Sequence, residues 1–259
     1  MRARRLAVPA EVAGRRVLAD RDGLIVTTLF YLLVSAVLGG LWRVAAGEHG
    51  DIVGYSGLAL TWYVVTSEAA VCALNIRLIE EVGEEIGNGS VAVEMLRPLP
   101  VVAVRLAVEV GRSLGRLVVL LVPGALLALL TAGRPVSWAG VALAVPALVL
   151  AITANLGLQY ALAGAAFWLR DTRAMWFLYQ KLVFILGGML LPLQVLPDGL
   201  QQVALHLPFM AMAYAPARLA SGHVEPGLLV EQALWGVLSL GLAVLVFARG
   251  QRRLEVVGG

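Results

Sequence analysis

Long apolar stretches recur along this chain, and they constrain its fold more than any other feature. A helix of about 20 mostly apolar residues crosses a bilayer, so each stretch predicts a transmembrane helix. The composition agrees, because 60% of the 259 residues are hydrophobic and only 14% are charged. We therefore predict an all-α polytopic membrane protein, a single transmembrane domain over residues 1–259. Its six predicted spans cover residues 24–41, 52–75, 113–132, 139–169, 174–196 and 228–248.

The basic residues indicate how these spans are oriented. Of the 20 lysines and arginines, 17 lie in the N-terminal segment, between spans two and three, around the start of span five, or after span six. Since basic residues accumulate in cytoplasmic loops, both termini and the loop between spans two and three are predicted to be cytoplasmic. The predicted location is multi-pass in the cell inner (plasma) membrane. The lipid bilayer is one expected partner, and no nucleic acid is expected despite the net charge of +3.

Residues 1–22 are predicted to form a cytoplasmic segment at the membrane interface. A short helix over residues 8–20 would place Pro9 in its first turn, where proline is tolerated. Arg15 and Arg16 would then lie near anionic headgroups. The segment therefore predicts a short interfacial helix before the first span.

Motifs that would indicate an enzyme are missing from the sequence. A Walker-type phosphate loop needs Gly-x4-Gly-Lys followed by Ser or Thr, but the only lysine, Lys181, follows Gln180 in an apolar run. The three histidines, His49, His206 and His223, lack the spacing of metal ligands. The chain is therefore predicted to have no catalytic residue, metal site or cofactor of its own.

A polar segment, residues 78–100, interrupts the apolar pattern between spans two and three. Its pattern predicts a helix over 78–85, a Gly87-Asn88-Gly89 turn, and a second short helix over 91–96 that Pro98 ends. An apolar edge would be exposed unless a partner covered it, so we favour a docking surface over a solvated loop. That edge comprises Ile79, Val82 and Ile86, followed by Val91, Val93, Met95 and Leu96, and the acidic remainder comprises Glu80, Glu81, Glu84 and Glu85.

A charged stripe follows the polar segment. Arg105, Glu109, Arg112 and Arg116 are separated by four, three and four residues, so they share one helix face. Glu109 is predicted to pair with both Arg105 and Arg112. A solvated cytoplasmic extension of span three explains the stripe as well as a functional role does.

Several polar residues fall inside the predicted spans, and four of them are of particular interest. A carboxylate in lipid usually faces a bundle interior or a water-filled cavity, so Glu68 is a pathway candidate, with a packing role as the alternative. Asn155 and Gln159 are four residues apart and could hydrogen-bond a neighbouring helix. Lys181 could pair with Glu68, or it could reach towards the membrane surface. These four residues are the pathway candidates.

Prolines divide the chain between spans five and six. Residues 192–227 are too apolar for a solvated loop and too broken for one span. We predict short re-entrant or interfacial helices in the outer leaflet, the outer half-helices. Their characteristic residues are Pro192, Pro197, Pro208, Phe209, Tyr214 and Pro216.

Two motifs resemble those of the membrane permease subunits of type-2 ATP-binding cassette (ABC) exporters. The first is similar to the family's cytoplasmic segment after span two, an Ile and a Gly turn followed by Leu-Leu-Arg-Pro. The second is similar to its proline-punctuated run after span five. The matching residues are Ile86, Gly89, Met95, Leu96, Arg97 and Pro98 in the first, and Gly188, Pro192, Leu196, Pro197, Leu207, Pro208, Phe209, Tyr214, Pro216 and Gly222 in the second.

The resemblance implies a function for the polar segment. Residues 78–100 would be a coupling helix that docks on a separate ABC ATPase, which would bind Mg-ATP. The transporter would contain two ATPases and a second permease chain, either a copy or a relative. This transporter would export a drug, an antibiotic or a lipid-like molecule. One difference is that Glu84 and Glu85 stand where related segments often carry basic residues.

Two other functions are compatible with the sequence. An ion-coupled secondary transporter could use Glu68, although no inverted repeat of the kind many such transporters carry is visible. A membrane scaffold without transport is the third alternative, and it would tolerate replacement of Glu68 and of the outer half-helices.

Overall fold

A computed structural model describes residues 2–95, 100–169 and 171–257. These residues form helices joined by short turns, and the only β-type pairing among them is an isolated bridge between Ile52 and Tyr55. The all-α prediction is therefore confirmed. The helices are α1 (Arg2–Ala19), α2 (Arg21–His49), α3 (Gly57–Cys72), α4 (Leu78–Gly87), α5 (Ser90–Met95), α6 (Val101–Ala132), α7 (Trp138–Ala163), α8 (Arg173–Leu186), α9 (Asp198–Leu205), α10 (Tyr214–Ala220) and α11 (Gly227–Val257).

In the described part of the chain, four helices, α2, α6, α7 and α11, are long and apolar enough to cross a membrane. They correspond to predicted spans one, three, four and six. Large apolar side chains stay exposed along α2, α6 and α11, including Leu33, Leu130 and Val237. Exposed apolar faces of this extent are expected where lipid replaces water around the protein.

The other two predicted spans are shorter than a full crossing. Helix α3 has 16 residues and is apolar, and α8 has only 14. The prediction of one helix over residues 174–196 is therefore wrong, because α8 ends at Leu186. Gly187 and Gly188 follow, and Gly188 has a φ of +66° that residues with a side chain rarely adopt. Pro192 lies four residues later, in an extended conformation.

The carbonyl groups at this break accept hydrogen bonds from side chains of α2 and α3. Tyr63 donates its hydroxyl to Gly188 O, Ser67 Oγ donates to Met189 O at 3.1 Å, and Trp42 Nε1 donates to Leu190 O at 3.0 Å. Irregular backbone at membrane depth needs such partners because lipid offers none. The backbone can therefore be non-helical just after α8, because the carbonyl groups of residues 188–190 have hydrogen-bond donors.

The centre of the bundle is α7, which packs most extensively against α11. The two backbones approach closely at Gly157, where an added Cβ would lie 2.6 Å from Ser239 Oγ and 2.8 Å from Leu240 N. Helix α10 packs on the other end of α7, with Leu219 O against Gly140. Small residues permit this close packing between membrane helices.

Helix α1 lies along the first half of α6, and both are close at Gly14 and Gly111. An added Cβ at Gly14 would lie 2.9 Å from Gly111 O. The predicted start at residue 8 is wrong, because α1 begins at Arg2 and contains Pro9 in its interior. Arg15 and Arg16 are exposed on the face away from α6.

Short helical pieces are present between α8 and α11, as predicted for residues 192–227. Helices α9 and α10 are separated by a 3₁₀ turn over Pro208–Ala211, and another 3₁₀ turn follows Pro192. Pro197 precedes α9, whereas Pro216 lies inside α10. Phe209 and Tyr214 are buried against the bundle. This segment therefore packs on protein, as irregular backbone near a membrane requires.

Candidate functional site

The polar segment after α3 forms an elbow of two helices, α4 and α5, which we call the α4–α5 elbow (residues 78–95). The apolar edge of α4 faces the protein's own core: Ile79 is fully buried, and Val82 and Ile86 are each 4% exposed. Val91 at the start of α5 is also fully buried. The expectation that Ile86 and Val91 would be exposed for a partner to cover is therefore wrong.

The exposed face of α4 is polar in the part of the chain that the structure describes. Glu81, Glu84 and Asn88 are exposed, whereas Glu80 and Glu85 are half-buried. The turn follows the predicted chemistry, because Gly89 has a φ of +79°, and Asn88 Oδ1 accepts a hydrogen bond from Ser90 N at 3.0 Å. A partner at the exposed face of α4 would meet carboxylates. Leu96, Arg97 and Pro98, which were also predicted to dock, lie outside the described residues.

Arg105 of α6 connects both helices of the elbow to the bundle. Its Nε and Nη2 donate to the two carboxylate oxygens of Glu94 at 2.7 and 2.9 Å, and its Nη1 donates to Glu85 Oε2 at 2.5 Å. The Arg105 side chain is only 15% exposed. A bidentate guanidinium–carboxylate pair adds geometric specificity as well as energy, so Arg105 fixes α5 relative to α4.

The start of α8 holds the other side of α4. Arg173 lies 3.4 Å from Glu80 and 3.4 Å from Glu84. Thr172 is buried and donates its hydroxyl to Ile79 O at 3.4 Å, beside Gly83. A Cβ at Gly83 would collide with the Thr172 side chain, so glycine lets α4 approach this loop.

The charged stripe on α6 pairs differently from the prediction. Glu109 binds Arg112 at 2.5 Å, but Arg105 turns to the elbow instead, so the predicted Glu109–Arg105 pair is wrong. Glu109 is 4% exposed, and its second oxygen has no hydrogen-bond partner in the described part of the chain.

Glu68 and Lys181 are not brought together. Glu68 is 1% exposed within α3, and one of its oxygens has no hydrogen-bond partner in the described ranges. The Lys181 side chain is exposed, with its ammonium 5.1 Å from the centre of the Phe177 ring and 5.7 Å from that of Phe184. The suggested Glu68–Lys181 pair is therefore wrong, and Lys181 lies against two aromatic rings.

Asn155 hydrogen-bonds a neighbouring helix, and Gln159 hydrogen-bonds Asn155 within α7. Gln159 Nε2 donates to Asn155 Oδ1 at 2.6 Å, and Tyr179 of α8 donates its hydroxyl to the same oxygen at 2.8 Å. These side chains line a cavity bounded by α3, α7 and α8. Sequence analysis missed Tyr179, because its hydroxyl cannot be assigned a partner within an apolar run.

Arg218 organises the opposite end of the bundle. Its guanidinium binds Glu225 at 2.6 Å and donates to the Tyr55 hydroxyl at 2.7 Å. Gln194 Nε2 donates to the Tyr214 hydroxyl, which joins the broken segment to the same cluster. The sequence feature that could have identified Arg218 is its position, since it is one of only three basic residues outside the predicted cytoplasmic side.

The Arg218–Glu225 pair predicts a dependence of stability on pH. The hydrogen bond from Arg218 holds the pKa of Glu225 below its ordinary value. A carboxylate with a depressed pKa stabilises the fold above its unfolded pKa, and this contribution is lost as the pH falls through the folded value. Because Glu225 is partly exposed, we expect acidification from about pH 6 to about pH 4 to lower the unfolding temperature by about 1–3 °C more in the wild type than in Glu225→Gln.

Thermal unfolding at both pH values measures this difference. Burial and Arg218 also lower the pKa of His223, so its protonation destabilises the fold in the same direction as the pH falls. Glu225 in turn raises the pKa of His223, so both proteins are compared in a His223→Gln background, where the difference between them isolates Glu225. An equal loss of unfolding temperature in both proteins would contradict the prediction.

Comparison with known proteins adds family information to this geometry. A family model described as "ABC-2 family transporter protein" matches residues 24–258. Among curated proteins, none matches the sequence of this chain. The matched range includes the α4–α5 elbow, the cavity beside Asn155 and the Arg218 cluster.

Proposed function

Because this chain belongs to the ABC-2 family of transporter proteins, we propose that it is the permease subunit of an ABC exporter. A separate ABC ATPase binds and hydrolyses Mg-ATP, and the permease moves a substrate out of the cytoplasm. A second permease chain, identical or related, completes the transporter, and the substrate passes between the two permeases. The sequence supports the division of labour, since it carries no phosphate-binding loop.

The observation that carries this proposal is the clamped α4–α5 elbow. A surface that receives work from a motor must be rigid relative to the helices it moves, and this one is held on two sides by Arg105 and Arg173. Its exposed face presents Glu81, Glu84 and Asn88. In the proposed complex, this acidic face docks into a basic groove of the ATPase.

Reversing one exposed charge on the elbow tests the docking. Glu84→Lys is expected to reduce recovery of the ATPase with the tagged permease by about tenfold, because like charges then face each other. The measurement is co-purification after co-expression with each candidate ABC ATPase from the same genome. Glu84 is 57% exposed on its side chain, so the fold should survive.

Glu11→Lys on α1 is the matched control. Each variant reverses one exposed carboxylate and breaks one exposed ion pair, Glu84 with Arg173 and Glu11 with Arg15. Equal ATPase recovery with both variants would overturn the docking role of the elbow.

An ion-coupled transporter remains a second candidate because of Glu68. A buried carboxyl with an unpartnered oxygen is the kind of group that binds and releases a proton in a membrane. That function predicts transport in proteoliposomes without an ATPase, abolished by Glu68→Gln. Transport that depends wholly on the ATPase and survives Glu68→Gln would exclude it.

A further inference from the structure

The cavity between α3, α7 and α8 has a lining that restricts what it can bind. It is open on one side and has a free volume of about 50 Å³, so it can hold the polar end of a small organic molecule while the rest of that molecule lies at its mouth. Val183, Phe184 and Met189 supply apolar surface, and the polar lining consists of amide and phenol groups. Among the described residues, no charged side chain lines this cavity.

Two polar atoms in the cavity lack partners. Asn155 and Gln159 are 2% and 3% exposed, and their mutual hydrogen bond uses Asn155 Oδ1 and Gln159 Nε2. Tyr179 adds a second donor to Asn155 Oδ1. Asn155 Nδ2 and Gln159 Oε1 thus remain without a hydrogen bond to any described residue. One is a donor and the other an acceptor, four residues apart on the same face of α7.

We propose that this cavity binds an uncharged amphipathic molecule, an apolar body that carries a neutral amide or a comparable donor–acceptor group. The ligand's carbonyl accepts from Asn155 Nδ2, and its N–H donates to Gln159 Oε1. Phe184, Val183 and Met189 cover the apolar body. That this molecule is the exported substrate rests on the proposed function, whereas the binding itself does not.

The cavity is expected to select neutral ligands over charged ones. An ion that entered the cavity would lose its hydration, and no counter-charge in the lining would replace it. Lys181 lies nearby but is exposed and directed at the Phe177 and Phe184 rings. A neutral amide satisfies both free atoms at once, and a site built for hydrogen bonding rejects ligands that leave its groups unpaired.

Three probes that share an indole ring test this selectivity. They are N-acetyltryptophanamide, which is neutral, N-acetyltryptophan, which is anionic, and tryptamine, which is cationic. Binding of each tritiated probe to the purified chain in nanodiscs is measured by scintillation proximity, without an ATPase. We expect the neutral amide to bind at least about tenfold more tightly than either charged probe.

Two substitutions of Gln159 separate recognition from folding. Gln159→Leu removes the free acceptor and is expected to weaken binding of the neutral amide by about tenfold. Gln159→Glu places a carboxyl at the same point, and we expect it to increase the affinity for tryptamine by about tenfold. A gain of binding cannot result from misfolding. Thr153→Val is the control, since Thr153 lies on α7 but faces α11, where a Cβ added at Gly236 would lie 3.8 Å from Thr153 Cγ2.

Val183→Trp, which fills the cavity, is expected to abolish binding of the neutral amide. Equal binding of the three probes, no saturable binding of the amide below about 1 mM, or unchanged binding to Gln159→Leu and Val183→Trp would each overturn the proposal. The outcome is independent of ATPase docking. If the unsubstituted permease recovers no ATPase but keeps the ligand selectivity, the exporter alone is rejected. If it recovers an ATPase but shows no selectivity, the ligand class alone is rejected.

Discussion

Arg105→Ala is expected to destabilise the protein by about 2 kcal/mol and to abolish recovery of the ATPase with the permease. The substitution removes three charge-assisted hydrogen bonds and leaves Glu85 and Glu94 without the cation that faces both. Charged hydrogen bonds contribute about 1.5–3 kcal/mol each in favourable settings, and partial exposure reduces their sum. The α4–α5 elbow then loses its attachment to α6. Thermal unfolding in nanodiscs and ATPase co-purification measure the two effects.

Arg15→Ala is the matched control, because Arg15 pairs with Glu11 on the surface with 77% of its side chain exposed. Such a pair contributes about 0–1 kcal/mol. Arg105→Ala combined with Glu85→Gln should recover part of the stability, since it removes one carboxylate that loses its pairing with Arg105. A destabilisation by Arg105→Ala no larger than that by Arg15→Ala would contradict the clamp.

Gly157→Leu is expected to prevent accumulation of folded protein. The added side chain would enter the contact between α7 and α11, where even a Cβ lies 2.8 Å from backbone atoms of Ser239 and Leu240. Overpacking a close contact costs about 1–3 kcal/mol for small additions, and the leucine adds far more volume than one methyl group. Size-exclusion chromatography in mild detergent measures the folded fraction, and Gly157→Ala should give an intermediate effect.

The same substitution at Gly241 provides the control. Gly241 lies on α11, and a Cβ there would meet nothing within 4 Å among the described residues. Gly241→Leu should therefore change stability by no more than about 0.5 kcal/mol. If Gly157→Leu folds as well as Gly241→Leu, the close packing of α7 on α11 is wrong.

The α4–α5 elbow illustrates what local sequence determines. The spacing of Ile79, Val82 and Ile86 predicts an amphipathic helix, and α4 spans Leu78–Gly87 against the predicted 78–85. The same stripe would arise whether the chain's own core or another protein covered it. Its cover includes the loop at Thr172, about 90 residues away, and no local pattern contains that contact.

The ion pairs of Arg105 likewise depend on distant residues that local sequence does not include. Helical spacing correctly indicates that Arg105 and Glu109 share a face, but it does not include competitors from other helices. Glu94 offers two oxygens in a bidentate arrangement, which a carboxylate one turn away on the same helix cannot match.

Hydropathy alone predicts one span that contains both α8 and residues 187–196, because those residues are as apolar as α8 itself. The break was readable from Gly187, Gly188 and Pro192, which act on backbone conformation rather than on transfer to lipid. Asn155 and Gln159 were predicted to bond a neighbouring helix; Asn155 does so, because Tyr179 of α8 donates to it, whereas Gln159 bonds Asn155 on its own helix. Which helix would be the neighbour depends on packing between distant parts of the chain.

The three carbonyls just after α8 impose a mechanical condition on any opening of the protein. Tyr63, Ser67 and Trp42 hold them from α3 and α2, so α8 cannot tilt alone without giving up three bonds. At about 0.6 kcal/mol for each bond within a membrane, an independent tilt would be about twentyfold rarer than the rest position. We therefore expect helices α2, α3 and α8 to move together as one rigid unit when the transporter changes conformation.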